Sequence, residues 1–350
     1  NDLKSRILDA WLGTRGGTST MPADESSTAG VLPPATVAVC TRERPDDLRA
    51  CLAALAHLPG EGHEVLVVDN DPATEVTRGV ASEFSGIRYV REPRKGLNVA
   101  RNRALREARN QVVAFTDDDA VTDPGWLPAL LTAFDHPRTL CVTGLTVPLE
   151  LETRAQQLHE EHSPFGRGFH RKVFDAARFH PMAAGHAGAG VNMALRREVT
   201  SLAGPFDEAL DAGTPTRSGG DNEMFSRILA AGYRIVYEPS AVSRHRHRKT
   251  RRELRRAFFG YGVGVYAAWT RSLVRERETG VLGVAASWLI KRQIPTLLRT
   301  LLFHPRTPPL DLLLAELAGC ALGPWAYWRA ARGLRREAEG PAGAGEMAAS

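Results

Sequence analysis

The sequence predicts an α/β domain on a mostly parallel sheet flanked by helices, followed by a helical C-terminal extension. Three observations predict it. Strand-like and helix-like segments alternate from residue 36 onward. The strand-like runs are almost wholly apolar, as strands covered on both faces are. Three of those runs end on polar residues, Thr41, Asp69 and the triplet Asp117–Asp119, and ligands of open α/β sheets bind beyond such strand ends. The 350 residues suffice for a full core, and 43% hydrophobic against 24% charged residues excludes a disordered chain.

Residues 1–35, rich in Gly, Ser, Thr and Pro, predict a flexible arm. Thr36–Thr41 is β-branched and apolar, a buried strand. Asp46 and Asp47 then open a helix on which Leu48, Leu52, Leu55 and Leu58 recur at helical spacing. EVLVV at 64–68 is a second strand, ending at Asp69. A helix near 73–84, a short strand at 87–91 and a helix over 98–109 follow. VVAFT at 112–116 is a further buried strand that runs straight into the Asp triplet. A helix over 124–135 and a strand over 139–148 come next, then a polar, His-rich stretch to about 185. A helix at 221–231 stops at Gly232, and RIVYE at 234–238 is a strand. The expected layout is an arm (1–35), a catalytic domain (36–255), amphipathic helices (256–336) and a disordered tail (337–350).

Charge divides the chain. The net is +5 overall, but residues 1–243 sum to −6 and residues 244–350 to +11, so the two parts suit different partners. Cys40, Cys51, Cys141 and Cys320 form no CxxC pair, which excludes a zinc framework and fits buried thiols in a reducing compartment. No secretory signal is expected, because residues 1–35 lack an apolar core. Residues 310–328 come closest to a membrane span, but Asp311, Glu316 and Pro324 interrupt them. Ile290, Ile294, Leu297, Leu298, Leu301 and Leu302 share one helical face opposite Arg292, Thr296, Arg299 and Thr300. Trp325, Tyr327 and Trp328 precede four arginines. These patterns predict attachment to an anionic membrane surface, with a cytoplasmic protein peripheral at the inner face of the plasma membrane. Residues 244–256 hold eight basic residues without interleaved aromatics, so no nucleic-acid partner is expected.

Three elements carry chemistry. Adjacent carboxylates repel one another, so the Asp117–Asp119 triplet calls for a cation, and carboxylate oxygens suit Mg²⁺ or Mn²⁺ bound together with substrate phosphates. Gly219-Gly220-Asp221-Asn222-Glu223 opens a helix with Asp221 at its start. In Arg244–Arg248, strand alternation would place His245 and His247 on one side and three arginines on the other.

The order of segments resembles the inverting family 2 glycosyltransferases of the GT-A fold, a Rossmann-like mixed sheet. The matching pieces are VAVCTRERPDDLRACL (37–52), EVLVVDND (64–71), GLNVARNRALREA (96–108) and VVAFTDDDAVTDPGWL (112–127). They continue with GAGVNMALRR (188–197), GGDNEMFSRILAAGYRIVYEP (219–239) and HRHR (245–248). The resemblance implies a nucleotide-sugar donor and a divalent metal. It implies Thr41 and Arg42 at the nucleobase pocket, Asp69 hydrogen-bonded to the base, and Asn98 and Arg101 on the nucleotide side. Asp117 and Asp119 resemble the DxD pair, with Asp118 between them on the donor side and Asp119 on the metal. His245 or His247 resembles the C-terminal ligand, and Asp221 the catalytic base. One departure stands out: the family commonly has Glu-Asp where this chain has Gly220-Asp221, and Glu223 is a partial replacement for the missing acid. The acceptor, a lipid-linked or other sugar or a small molecule, is expected to bind at residues 150–220. Two other readings stay open: a nucleotidyltransferase, for which Gly13-Thr14-Arg15-Gly16-Gly17 would be the glycine-rich loop, and a degenerate nucleotide-sugar-binding protein.

Overall fold

The computed structural model describes residues 32–338 other than 61, 303 and 305. Most of the predicted arm, the Gly13–Gly17 loop and the tail beyond 338 lie outside the described residues.

Strand β1 (Ala35–Thr41) leads through helix α1 (Pro45–Leu55) to β2 (Glu64–Asn70), and α2 (Val76–Ser82) leads to β3 (Ile87–Glu92). Helix α3 (Leu97–Glu107) precedes β4 (Val112–Asp117). All four strands are parallel, in the order β3-β2-β1-β4. Their ends are level, with Thr41 opposite Asp69 and Cys40 opposite Asp117. The three polar strand ends read from the sequence therefore share one edge. Side chains of β1 alternate between two buried layers. Ala38 packs with Ala100 and Ala104 of α3 on one face, and Val37 and Val39 pack with Leu48 and Leu52 of α1 on the other. Both faces are covered, so alternation leaves no polar stripe.

The second half is mixed. β5 (Ala120–Thr122), α4 (Trp126–Thr132), β6 (Thr139–Pro148), α5 (Arg154–His162) and β7 (Lys172–Phe174) are followed by a 3₁₀ turn at Pro181–Ala187 and by β8 (Asn192–Arg196). Strand β8 runs antiparallel between β4 and β6. Helix α6 (Gly220–Ala230) leads into β9, which extends over Arg234–His245 rather than stopping at 238. Pro239 reads as a stop, but a register shift absorbs residues 239–241 as an irregularity while pairing with β6 resumes at Val242. Gly144 lies at that shift, where a Cβ would collide with the Ala241 carbonyl. The strand ends at His245, so Arg246–Arg248 do not continue the predicted alternation.

Helix α7 (Arg251–Arg271) starts at a Thr250–Glu253 capping box and runs unbroken across residue 255, where a domain boundary was expected. Helix α8 (Gly280–Trp288) passes through a π turn at Leu289–Gln293 into α9 (Ile294–Leu301), and α10 (Leu310–Ala338) returns along α7. The glycines that dot α7 and α10 permit this contact. A Cβ at Gly262 would meet the Glu316 carbonyl, and one at Gly319 the Phe259 carbonyl. In the segment 289–302 two uncharged polar residues turn inward, while charged and several apolar residues turn outward. Gln293 and Thr300 are 4% and 9% exposed, whereas Ile290 and Leu302 are 62% and 79% exposed. Among the described residues no helix is long and apolar enough to cross a membrane.

Candidate active site

The Asp triplet leaves the end of β4 and is compensated by cations from distant segments. Thr41 Oγ1 donates to Asp118 Oδ2 (2.6 Å). Arg44 Nη1 donates to Asp118 Oδ1 (3.0 Å) and Asp119 Oδ2 (3.1 Å). His245 Nε2 lies 3.1 Å from Asp119 Oδ1, and Arg248 Nη1 3.6 Å from Asp119 Oδ2. Burial, then the neighbouring Asp119, raises the pKa of Asp117, and burial pushes Asp118 up to about 6. Burial pulls Asp119 the same way, but His245, Arg44 and Arg248 outweigh it and hold its carboxyl below the usual range. Asp117, Asp119 and His245 each offer one ligand atom, all within 4.8 Å of one another. Two carboxylates and an imidazole, converging and buried, fit a divalent cation.

The two histidines face different partners. His247 Nδ1 lies 3.4 Å from His245 Nδ1, while its Nε2 lies 3.0 Å from Glu160 Oε2 on α5. His245 is the histidine beside the carboxylates, and His247 is behind it. His159 stacks on His247 with ring centroids 4.1 Å apart, and its Nε2 meets the Tyr261 hydroxyl at 2.9 Å. Burial lowers the pKa of His159 to about 2, so it stays neutral.

On the other predicted donor positions the structure is specific. Asp69 Oδ2 accepts from the Tyr89 hydroxyl (2.7 Å), whereas its buried Oδ1 has no partner among the described residues. Burial raises its pKa. Arg42 is exposed and paired with Asp71 at 2.7 Å. Arg101 Nη1 donates to Asn98 Oδ1 (3.2 Å) and to Asp211 Oδ2 (2.8 Å), and Asn98 Nδ2 donates to the Asp207 carbonyl (2.9 Å). These two residues tie α3 to the loop before α6.

Asp221 stands at the start of α6. Its Oδ2 accepts from the Gly190 N–H (2.7 Å) and its Oδ1 from the Asn222 N–H (2.8 Å), which fixes the carboxylate plane. The glycine before it is a steric necessity. A Cβ at 220 would collide with the Asn98 amide and come within 2.6 Å of Asp211 Oδ2. The acid next to Asp221 is thus Asp211, delivered from the loop, and not Glu223. Glu223 is fully buried, bonded to Arg227 Nη2 at 2.8 Å and 2.9 Å from Arg271 Nη1.

Asp117, His245, Asp221, Arg101 and Asp211 line one cavity of about 550 Å³, whose far wall comes from the C-terminal helices. Arg44, Glu160 and Asp211 were not singled out from the sequence. Arg44 lies within the matched TRER stretch, whereas Glu160 and Asp211 sit in segments without a readable pattern.

Residues 36–201 match the family described as Glycosyl transferase family 2. This stretch is a family 2 glycosyltransferase domain. Over 236 residues the chain is 30% identical to the pre-mycofactocin glycosyltransferase of Mycobacterium tuberculosis, covering 64% of this chain and 46% of that protein. It therefore spans about half the length of that relative. It is 29% identical over 222 residues to the succinoglycan biosynthesis protein ExoM of Rhizobium meliloti, covering 59% of this chain and 64% of that one. Among solved structures, the mannosyltransferase PcManGT of Pyrobaculum calidifontis, in complex with GDP-Man and Mn²⁺, shares the fold. Its TM-score is 0.52 at 18% identity, covering 97% of this chain and 84% of that one. The family 2 domain thus has the GT-A architecture expected from its sequence, and the likeness extends through the C-terminal helices.

Proposed function

We propose that this chain moves a sugar from a nucleoside diphosphate to an acceptor hydroxyl with inversion at the anomeric carbon. One observation carries the reading: Asp221 lines the same cavity as Asp117 and His245, two members of the cluster that Asp119 completes, so a base and a diphosphate grip face one space. Asp119 and His245 would hold Mg²⁺ or Mn²⁺, with Asp117 alongside. When bound, the metal supplies neutralisation of the charge on the departing diphosphate. Asp69 offers its free oxygen to the nucleobase beside Thr41 and Arg42. Asp118 holds Thr41 and Arg44 in place, and Arg101 and Asn98 position the acceptor-side loop.

The choice of His245 follows from hydrogen-bond logic. With Glu160 Oε2 accepting from His247 Nε2–H, His247 Nδ1 is left bare to accept from His245 Nδ1–H. With a metal bound beside Asp119, His245 Nε2 would then be the nitrogen that presents its lone pair, as a metal ligand must. Asp221 takes the proton of the acceptor hydroxyl as its oxygen attacks the anomeric carbon, and the C–O bond to the diphosphate breaks with its electron pair on the leaving oxygen. One displacement inverts the centre. The outward apolar residues of 289–302, with Lys291, Arg292 and Arg299 among them, suit the anionic inner face of the plasma membrane. Flotation with vesicles would report this, and equal binding to neutral and anionic lipid would contradict it.

The test of the central role is Asp221→Asn. Transfer is expected to fall by about 10²–10⁴-fold, the usual contribution of a general base, while nucleoside diphosphate binding with Mn²⁺ persists. Near wild-type transfer would remove Asp221 from the reaction.

A further inference from the structure

The cavity has a second charged region that the reaction described above leaves unused. Arg167, on the irregular segment after α5, and Arg292, on the π turn before α9, both line it. Arg167 is fixed by neutral backbone alone. Its Nε donates to the Gly185 carbonyl (3.1 Å), Nη1 to that of Pro164 (2.7 Å) and Nη2 to that of Gly188 (3.3 Å). A guanidinium has five N–H donors, so Arg167 keeps donor capacity as well as its full charge. Arg292 places its guanidinium over the Trp288 ring, with Cζ 5.6 Å from the centroid. Other arginines of the cavity have carboxylate partners, Arg101 with Asp211 and Arg248 with Asp119. Among the described residues neither Arg167 nor Arg292 has one.

The two cations also affect each other. Burial lowers the pKa of Arg167 and the charge of Arg292 adds to it, and burial with the same two arginines lowers that of His186 on the cavity wall. Among the described residues neither arginine forms an ion pair; the carboxylates that act on them, Asp221 on Arg167 and Glu316 on Arg292, do so from beyond contact distance, so the two guanidiniums in one space leave room for an anion. Trp269 and Trp288 stand beside them, edge to face with centroids 5.5 Å apart. An aromatic wall next to guanidiniums suits a sugar that carries a phosphate.

The position of the charge says which substrate brings the anion. The donor diphosphate is gripped at Asp119, beside Arg44 and Arg248. Arg167 is instead held on the Gly188 carbonyl, two residues before Gly190, whose N–H binds Asp221 Oδ2 at 2.7 Å. We propose that Arg167 and Arg292 form an anion subsite that binds a phosphate or diphosphate group carried by the acceptor sugar, next to the base Asp221. This rests on the transfer reading, in which Asp221 takes the acceptor's proton. A soluble sugar phosphate and a lipid-linked sugar diphosphate share this chemistry. Ile290 and Ile294, on the segment that bears Arg292, are exposed apolar residues.

The test uses the full chain in EDTA, where a metal-free carboxylate end repels anions. Calorimetry with inorganic pyrophosphate is expected to give saturable binding that Arg292→Glu weakens by about tenfold or more, the loss of a charge-assisted contact. Arg292 is exposed, so this variant is expected to melt like the wild type. Arg167→Lys, which keeps the charge but not the fork, is a second variant expected to weaken binding. Decyl diphosphate is run in parallel. Tighter binding than pyrophosphate assigns the anion to a lipid-linked acceptor, equal binding assigns it to a soluble sugar phosphate, and either result supports the subsite. No binding in EDTA, or a Kd that neither variant changes, would overturn the proposal. So would an equal loss of nucleoside diphosphate binding with Mn²⁺ in Arg292→Glu, because the arginines would then serve the donor. Failure of the transfer reading would look different: no nucleoside diphosphate binding with Mn²⁺ in the wild type, with pyrophosphate binding intact.

Discussion

At one end of the cavity three successive carboxylates meet Arg44, Arg248 and His245; at the other, Arg167 and Arg292 form no ion pair among the described residues. The acidic end is a local product of the chain, a triplet at a strand end, corrected by cations brought from elsewhere in the fold. The basic end is assembled from two distant segments and held by carbonyls and a tryptophan face. Each end is shaped before its ligand arrives, so binding calls for little rearrangement. The difference teaches how one cavity can take two anionic substrates without confusing them. In the proposed reading one diphosphate would be recognised through a metal, the other directly through guanidinium forks.

That comparison can be broken at several points. The largest effect is expected from Asp119→Asn, which removes a ligand oxygen's charge and the partner of His245, Arg44 and Arg248. Transfer with Mn²⁺ should fall by about 10³-fold, whereas pyrophosphate binding in EDTA should not weaken. Parallel losses at both ends would show that they are not separable. A smaller effect is expected at Glu160, which touches the acidic end only through His247. Glu160→Ala should weaken Mn²⁺ binding by roughly 10-fold to 100-fold, the usual effect of losing a partner behind a metal-ligating histidine. Glu160→Gln, whose amide oxygen can still accept from His247, should restore most of it. Equal affinity in the alanine variant and the wild type would contradict the tautomer argument. The smallest effect is expected at the border between the two ends. Gly220→Ala forces a Cβ against Asn98 and Asp211 and should lower unfolding stability by about 1–3 kcal/mol in urea titrations. Unchanged stability would mean that Asp211 is free to move aside.

The acidic end was legible in the sequence because its signals are local. Apolar strands that stop at Thr41, Asp69 and Asp117 state both a parallel sheet and the edge where its ligands bind. The helix that begins at Asp221 could likewise be read from its two glycines and Gly232. What failed to show were contacts between residues far apart in the chain. Asp211 takes the place of a side chain at 220 from a loop without periodicity, and its left-handed backbone (φ 81°) carries no sequence mark in an Asp. Glu160 sits on an ordinary polar helix, and only the fold brings it to His247. Strand β9 was cut short because Pro239 is a sound stop signal that a register shift overrides. Trp269, Trp288 and Arg292 also line the cavity, from beyond the stretch 150–220 in which the acceptor is expected.

The central claim is that the carboxylate end grips a nucleoside diphosphate through a divalent metal. Calorimetry of the full chain against a panel of nucleoside diphosphates, with Mn²⁺ and then with EDTA, tests it most directly. At least one nucleoside diphosphate is expected to bind with Mn²⁺, and in EDTA its binding is expected to fall to no more than the Arg292-dependent binding that pyrophosphate shows. Nucleoside diphosphate binding of equal strength with and without metal would contradict it.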